Sequence, residues 1–505
     1  MIPDDECRGR LPDDECRGRC LTMNPDDKCR GRCPKSPTMN VGTMARNKKP
    51  ETRNFSMKSI STIVTVLLSA ALCHGQSFTL KQSVDYAIQN NIAVRNSQID
   101  QQMSDARKSE LLSKGLPQVD VTSTLLHNFN VQKLVLENGV IPAFTDPTKP
   151  IGEVFAFQLQ LNNLWTSQVT ASQVLFDKAL FAGIANADIY RSLAVKNTER
   201  TQTDIAEMVT KAYYGVLVSK KQLEFLDNNI ARVDSLYKET QARFKNGLVR
   251  KIAVDRIEVR LNNLKDEKDK TSKLVELNMN LLRFQMNLPP DESLVLTDTL
   301  NESEVISSLT SVPETEYSKR IEYNILQDQI RLSEAESQVT KGGYLPRLNA
   351  FATTGYNPGA THLGDIFQGN RYYNFTYVGL DLRIPLFHGM EKKYKVQTKV
   401  LEEQKLQNAR LNLEKSIDLQ VQQASISLYN NLESLKIQKR NMELAQENVR
   451  IIQIENQKGI ANNIEVVNAE ADLKEAQTNY YNTLYGALLA KTDLEKAKGT
   501  LLSGK

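Results

Sequence analysis

The sequence predicts a mainly helical protein with membrane β-strands, organised as a duplicated helix, strand, strand, long helix, helix unit. Three observations carry this reading. Two long proline-free stretches hold apolar residues at heptad spacing. Segments of about ten residues alternate apolar and polar side chains, as a half-buried or barrel strand does. The same order of motifs occurs twice along 505 residues. Mean hydropathy is −0.43, and no run of 18 apolar residues occurs, so a helical integral membrane protein is excluded.

The first 75 residues differ from the rest. PDDECRGR at 3–10 recurs at 12–19 and, as PDDKCRGR, at 25–32. All six cysteines (Cys7, Cys16, Cys20, Cys29, Cys33, Cys73) lie here. The Cys-x3-Cys spacing, with no histidine near, suits structural zinc poorly. Residues 1–56 read as a low-complexity leader, a stretch placed before the true start. Residues 57–75 read as a secretory signal peptide. Lys58 supplies a positive charge, Ile60–Leu72 an apolar core, and Cys73-His74-Gly75 the small residues before a cut ahead of Gln76. Acylation at Cys73 is the alternative, but Leu72 stands where a small residue is wanted. Residues 1–75 hold 13 of the 64 Lys/Arg and 9 of the 60 Asp/Glu, so the remaining 51 and 51 cancel. The exported chain is therefore neutral and free of cysteine. That speaks against disulfides, thiolate metal sites and broad attraction to nucleic acid.

Repeat one is expected over 76–290 and repeat two over 315–505, joined by a linker at 291–314. Leu116-Pro117 matches Leu345-Pro346 at an offset of about 229. Leu175-Phe176 matches Leu386-Phe387, and Gly247 matches Gly459, at offsets of about 211 and 212. An excess of about 18 residues therefore lies between the Leu-Pro and Leu-Phe points of repeat one. Strands are expected at about 117–130 and 155–175, and at about 346–356 and 374–385.

Long helices are expected at about 178–245 and 390–457. No proline falls between Pro150 and Pro289 or after Pro385, which permits such length. Ile205, Ala212, Leu226 and Val233 alternate with Val209, Val216, Leu223, Ile230, Tyr237 and Phe244. Ile417, Ala424, Ala445 and Ile452 alternate with Val421, Leu428, Leu435, Met442 and Val449. A sustained repeat of about 3.5 residues means coiled-coil packing. A coiled-coil scaffold alone would not need the strands. Val119, Val121, Leu125 and Phe129 alternate with Asp120, Thr122, Thr124 and Asn128, and Val378, Leu380, Leu382 and Ile384 with Tyr377, Gly379, Asp381 and Arg383. Four strands cannot close a barrel, and open edges are not tolerated in lipid, so spanning strands would require an oligomer.

With these residues in view, the chain resembles the outer membrane factors of the TolC type. FTLKQSVDYAIQNN (78–91), the two Leu-Pro junctions, IPLFHGM (384–390), KNGLV (245–249) and KGIANNIEVVNAEADL (458–473) carry the likeness. It implies a homotrimer whose protomers each give four strands to a 12-stranded outer-membrane barrel, set on a long helical barrel in the periplasm. The junctions would lie at Leu116, Pro117, Phe176, Leu345, Pro346 and Phe387. The implied role is the exit channel of a tripartite efflux or type I secretion system in a Gram-negative outer membrane. The implied partners are outer-membrane lipid, a periplasmic adaptor (membrane fusion) protein and an inner-membrane pump, with no nucleic acid and no cofactor. Gly247-Leu248 and Gly459-Ile460 match the family's hairpin tips, where adaptors dock. Glu465 and Asn468 stand six and nine positions past Gly459, where the family carries acidic gate residues; Asn468 departs from the pattern. Arg250 and Lys251 lie close to the first tip glycine and are the candidate latch for Glu465. The alternative is a periplasmic coiled-coil structural or adaptor protein without a barrel. Enzyme signatures are absent: His74, His127, His362 and His388 are scattered, and no HExxH, nucleophile elbow or phosphate loop occurs.

Overall fold

The computed structural model describes residues 76–158, 160–290, 292–300, 316–368 and 372–502. The leader, the signal segment and most of the linker lie outside these residues. The chain opens with β1 (Gln76–Phe78), α1 (Leu80–Asn90) and α2 (Ile92–Ser113). Thr79 caps α1 through a capping box with Gln82, and Asn91 caps α2 by accepting from the Ala93 N–H.

Leu116-Pro117 then ends the helix, because proline disfavours helical backbone at the residue before it. There follow β2 (Gln118–His127), β3 (Lys133–Glu137), β4 (Val154–Gln158) and β5 (Asn163–Asp177). The segment expected as one strand over 155–175 is two: β4 pairs with β3, and β5 joins the main sheet. Polar residues Asn162 and Asn163 turn the chain between them, and Asn163 holds the turn by donating to the Thr361 carbonyl at 2.8 Å.

The long helix expected over 178–245 is also divided, into α3 (Lys178–Ala185) and α4 (Ala187–Lys245). At Asn186 the backbone leaves helical values, and the Asn186 amide donates to the Ala182 carbonyl at 2.8 Å. The chain continues through α5 (Lys251–Met286) and β6 (Leu294–Leu296), then α6 (Ile321–Gly342), β7 (Arg347–Tyr356), β8 (Gly359–Ala360) and β9 (Asn374–Arg383). It ends with α7 (Glu391–Gln457) and α8 (Asn463–Lys498).

The helices pack by length. The 59-residue α4 is flanked by α2 (22 residues) and α5 (36 residues), and the 67-residue α7 by α6 (22 residues) and α8 (36 residues). At 1.5 Å per residue α7 is about 100 Å long. The predicted heptad positions are the seams: Ile205, Val209, Ala212 and Val216 are buried in one cluster, and Ile417, Val421, Leu428 and Leu435 in another. Each pair of short helices meets end to end. Asn91 Nδ2 donates to the Gln285 carbonyl at 2.8 Å, joining α1–α2 to α5. Arg320, almost wholly buried, donates to the Ala497 carbonyl at 2.8 Å, joining α6 to α8. Both bonds satisfy carbonyls that a helix end leaves free. Beside the first joint, β1 lies parallel to β6. The buried Tyr213 hydroxyl donates to the Phe78 carbonyl and lies 3.0 Å from Asp298, which also accepts from the Leu80 N–H.

The main sheet is antiparallel in the order β2-β5-β7-β9, with β8 also on β5. Its register aligns Val119, Ala171, Ala352 and Val378 in one row, and Asp120, Thr170, Thr353 and Tyr377 in the next. Adjacent rows face opposite sides. The sheet therefore has a Val/Ala/Leu-rich face and a face richer in polar groups. No residue of β2 is buried, and Val121 and Val378 are more than two-thirds exposed. β2 and β9 are both open edges.

Candidate functional site

Two regions meet the chemistry expected of a conduit: the junction where helices become strands, and the helical tips at the other end. At the junction, Leu116 and Leu345 sit in the turns leaving α2 and α6, and Phe176 at a bulge in β5. Phe176 meets Phe181 edge-on at 6.2 Å between centroids. Phe387 follows β9 and is largely exposed. The junction also has a polar lock that sequence reading missed. Asp177 caps α3 by accepting from the Ala179 and Leu180 N–H groups, and pairs with Arg347 at 3.0 Å. One carboxylate thus ties the end of β5 to the start of β7. The Leu-Phe motif points to the place, but nothing local marks Arg347 as its partner.

At the tips the two turns are built alike. Gly247 (φ 73°) and Gly459 (φ 77°) occupy left-handed backbone with nothing near a would-be Cβ. Glycine is thus needed there for conformation, not for space. Leu248 N–H donates to the Arg243 carbonyl and Ile460 N–H to the Glu455 carbonyl, each at 2.9 Å, closing a Schellman turn. Leu248 and Ile460 are nearly three-quarters exposed. They present two apolar points at the ends of α4 and α7, which nothing among the described residues covers.

Glu465 stands in the first turn of α8, exposed, on the helix capped by Asn462. Its carboxylate accepts from Asn462 Nδ2 at 2.8 Å, while Asn462 Oδ1 accepts from the Glu465 N–H at 3.0 Å. A helix N-terminus favours a carboxylate there. Asn468 is exposed one turn later. Arg250 and Lys251, also exposed, lie at the start of α5, and among the described residues neither pairs with Glu465. The structure does not bring the three together within one chain.

What it does bring together, just behind the tips, is a buried polar ladder. Glu470, 3% exposed, accepts from Arg232 Nε at 2.8 and 3.0 Å and from Gln453 Nε2 at 2.9 Å. Arg232 also donates to Asn229. Nearer the tip, Asn463 donates to the fully buried Thr240 at 2.6 Å and accepts from Asn456 at 2.9 Å. These bonds tie α4 to α7 and α8. In the middle of the helices, Lys496 binds Asp204 and Glu207, and Lys211 binds Glu207 and Asp493. Burial alone would raise the Glu207 carboxyl; hydrogen bonds from Lys211 and Lys496 outweigh it and hold the group below the usual glutamate range. Glu207–Lys211 and Asn229–Arg232 stand one helical turn apart. The pairs that cross from α4 to α8 join residues far apart in sequence, and only the register of the heptads could have suggested them.

With this geometry, comparison with known proteins is decisive for part of the chain. Residues 324–500 match the model of the outer membrane efflux protein family. Through those residues the chain is similar to that family. Over most of its length the chain also has the fold of solved outer-membrane channels. It aligns with CusC, described as forming a transmembrane channel, at TM-score 0.64 and 12% identity, covering 83% of this chain and 91% of that one. VceC, an outer membrane protein of Vibrio cholerae, aligns at TM-score 0.61 and 14% identity, covering 83% and 96%. The open state of the MtrE outer membrane channel of Neisseria gonorrhoeae aligns at TM-score 0.60 and 15% identity, covering 84% and 89%. No curated protein matches the chain in sequence. Among the described residues no helix is long and apolar enough to cross a membrane, and no group of side chains could hold a metal ion.

Proposed function

We propose that the chain is the outer-membrane exit channel of a tripartite efflux or type I secretion assembly, passively conducting what an inner-membrane pump delivers. The observation that carries this reading is the four-stranded sheet. Its strands are about ten residues long, the length that crosses an outer membrane when tilted. Its apolar row is exposed, and both of its edges are open. Lipid tolerates no such edge. Strand direction alternates, so β9 of one copy can pair antiparallel with β2 of the next. Three copies would close twelve strands, as the family resemblance implies, with the helices continuing the wall into the periplasm. A second set of exposed apolar residues along α7 (Leu419, Ile426, Leu444 and Ile451 among them) supports helix packing between copies.

In this reading the tips Gly247-Leu248 and Gly459-Ile460 receive the hairpins of a periplasmic adaptor. A trimer would set three Glu465 carboxylates around one axis, where they would repel one another and attract cations. Arg250 or Lys251 of a neighbouring copy could then latch Glu465. In this reading energy and selection belong to the pump. The deciding experiment fractionates expressing cells and records single-channel conductance of the purified protein in a planar bilayer. A heat-modifiable outer-membrane species that conducts is the expected result. A soluble periplasmic monomer without conductance would replace the channel reading with that of a coiled-coil structural or adaptor protein.

A further inference from the structure

The two ends of the main sheet differ in a way the helices do not require. At the end away from the helices, β7 and β9 are joined by an arch at 357–373, whereas β2 and β5 are joined by a longer segment that folds into a hairpin of its own, β3 with β4. This hairpin accounts for the residues by which the first half of the sheet region exceeds the second. Its loop is shaped around Asn138, 1% exposed. The Asn138 amide donates to the carbonyls of Asp146, Lys149 and Pro150, and its oxygen accepts from the Asp146 N–H.

The register pairs Leu134 with Phe157 and Leu136 with Phe155, so these four side chains share one face. Phe144 stacks on Phe157 at 4.8 Å. Among the described residues no other element packs substantially on this face, and Leu134 and Phe144 remain more than two-fifths exposed. A two-stranded sheet standing alone is marginal in water. An apolar face on a well-formed hairpin therefore calls for a cover.

Strand order says what the cover is. The hairpin rises from the end of β2, one open edge. The arch runs into the start of β9, the other open edge. Wherever β9 of one copy meets β2 of the next, one arch and one hairpin from different copies stand side by side. The described part of the arch (357–368 and 372–373) is held against β5 through β8. The Trp165 N–H donates to the Pro358 carbonyl, and the Trp165 ring lies 5.7 Å from that of Phe367. It turns Leu363, Phe367 and Tyr373 outward, each more than half exposed.

We infer that the β3–β4 hairpin of one copy seats its Leu134/Leu136/Phe155/Phe157 face on the β7–β9 arch of the neighbouring copy, clasping the assembly at its outer rim. This rests on the oligomeric channel reading above. The two can be separated, because the chain beyond Cys73 has no cysteine, so a background form with the six cysteines of residues 1–75 replaced by serine gives no signal of its own in thiol cross-linking. Leu134→Cys, Tyr373→Cys and the double variant of the full-length protein are treated in membranes with a short bis-maleimide, then boiled. The expected result is boiling-resistant dimers and trimers from the double variant alone. Linking of Leu134→Cys to itself would mean that the hairpins meet one another, and would overturn the clasp. So would an unheated oligomer that the double variant fails to link. Loss of any unheated oligomer in the wild type would sink the channel reading as well. Independently, Leu134→Glu should lower the temperature at which the oligomer dissociates while conductance stays at the wild-type level; an unchanged dissociation temperature contradicts the clasp.

Discussion

The helical region and the sheet region solve burial in opposite ways. In the helices, heptad side chains such as Val209, Val216, Leu428 and Leu435 are buried within one chain, and even charged groups find partners inside it: Glu470 with Arg232, Asp328 with Lys196. In the sheet, Val119, Val121, Val378 and Leu380 have nothing over them. The helices can thus form a stable body from one chain. The sheet cannot be at rest in water, since apolar exposure on this scale marks a surface meant for lipid or for another chain. The contrast teaches that one copy supplies most of the helical core by itself and leaves the apolar face of its sheet uncovered.

The largest expected effect breaks the helical side of this contrast. Arg232→Ala leaves the buried Glu470 carboxylate without its cation, and stranding a buried charge costs about 3–5 kcal/mol. Denaturant unfolding of the helical region should show a loss of that order. A value near zero would mean that α4 and α8 are not held by this pair. Arg232→Ala with Glu470→Gln should recover part of the loss, since the neutral amide needs no cation.

A smaller effect is expected beside the β1–β6 pairing. Tyr213→Phe removes the hydroxyl bond to the Phe78 carbonyl and should cost about 1–2 kcal/mol, with the carbonyl left buried. Burial, followed by the Asp298 carboxylate, holds the Tyr213 phenol well above the ordinary tyrosine range. The bond should therefore survive to strongly alkaline pH.

Acid should weaken the helices gradually. Glu207 and Asp328 titrate below their ordinary values, because hydrogen bonds from Lys211 and Lys496, and from Lys196 and Ser192, outweigh the effect of burial. A depressed folded value means that the stabilisation is complete above the unfolded carboxylate range of about 4, and is lost as pH falls through the lower folded values. Thermal melts should then be flat near neutrality and fall below about pH 4. A drop centred near pH 6 would point to other groups.

The smallest effects lie at the tips. Gly247→Ala or Gly459→Ala should cost about 1 kcal/mol by forcing a side chain into left-handed backbone. Leu248→Ser should leave stability unchanged but weaken binding of an adaptor. Glu465→Ala should alter conductance or cation block; unchanged values would remove Glu465 from any gate.

How much of this could be read in advance follows from how local each signal is. The long helices, the tips and the strands around Val119 and Val378 are encoded by periodicity, by glycine at a turn and by proline at a helix end, all within a few residues. The break at Asn186 was hidden, because one asparagine in an apolar helical pattern is ordinary and only its side-chain bond to Ala182 reveals the kink. The hairpin was hidden as well, because β3 and β4 are five residues each and separated by a loop rich in turn residues. The polar ladder was illegible for another reason: Arg232 and Glu470 are 238 positions apart, and only packing brings them together.

On the proposed reading this chain closes a membrane barrel only by joining copies of itself. The direct test is the mass of the detergent-extracted protein, measured by light scattering with the detergent subtracted. The account predicts three copies per particle, falling to one when the sample is boiled. A monodisperse single copy, soluble and stable without detergent, would contradict it.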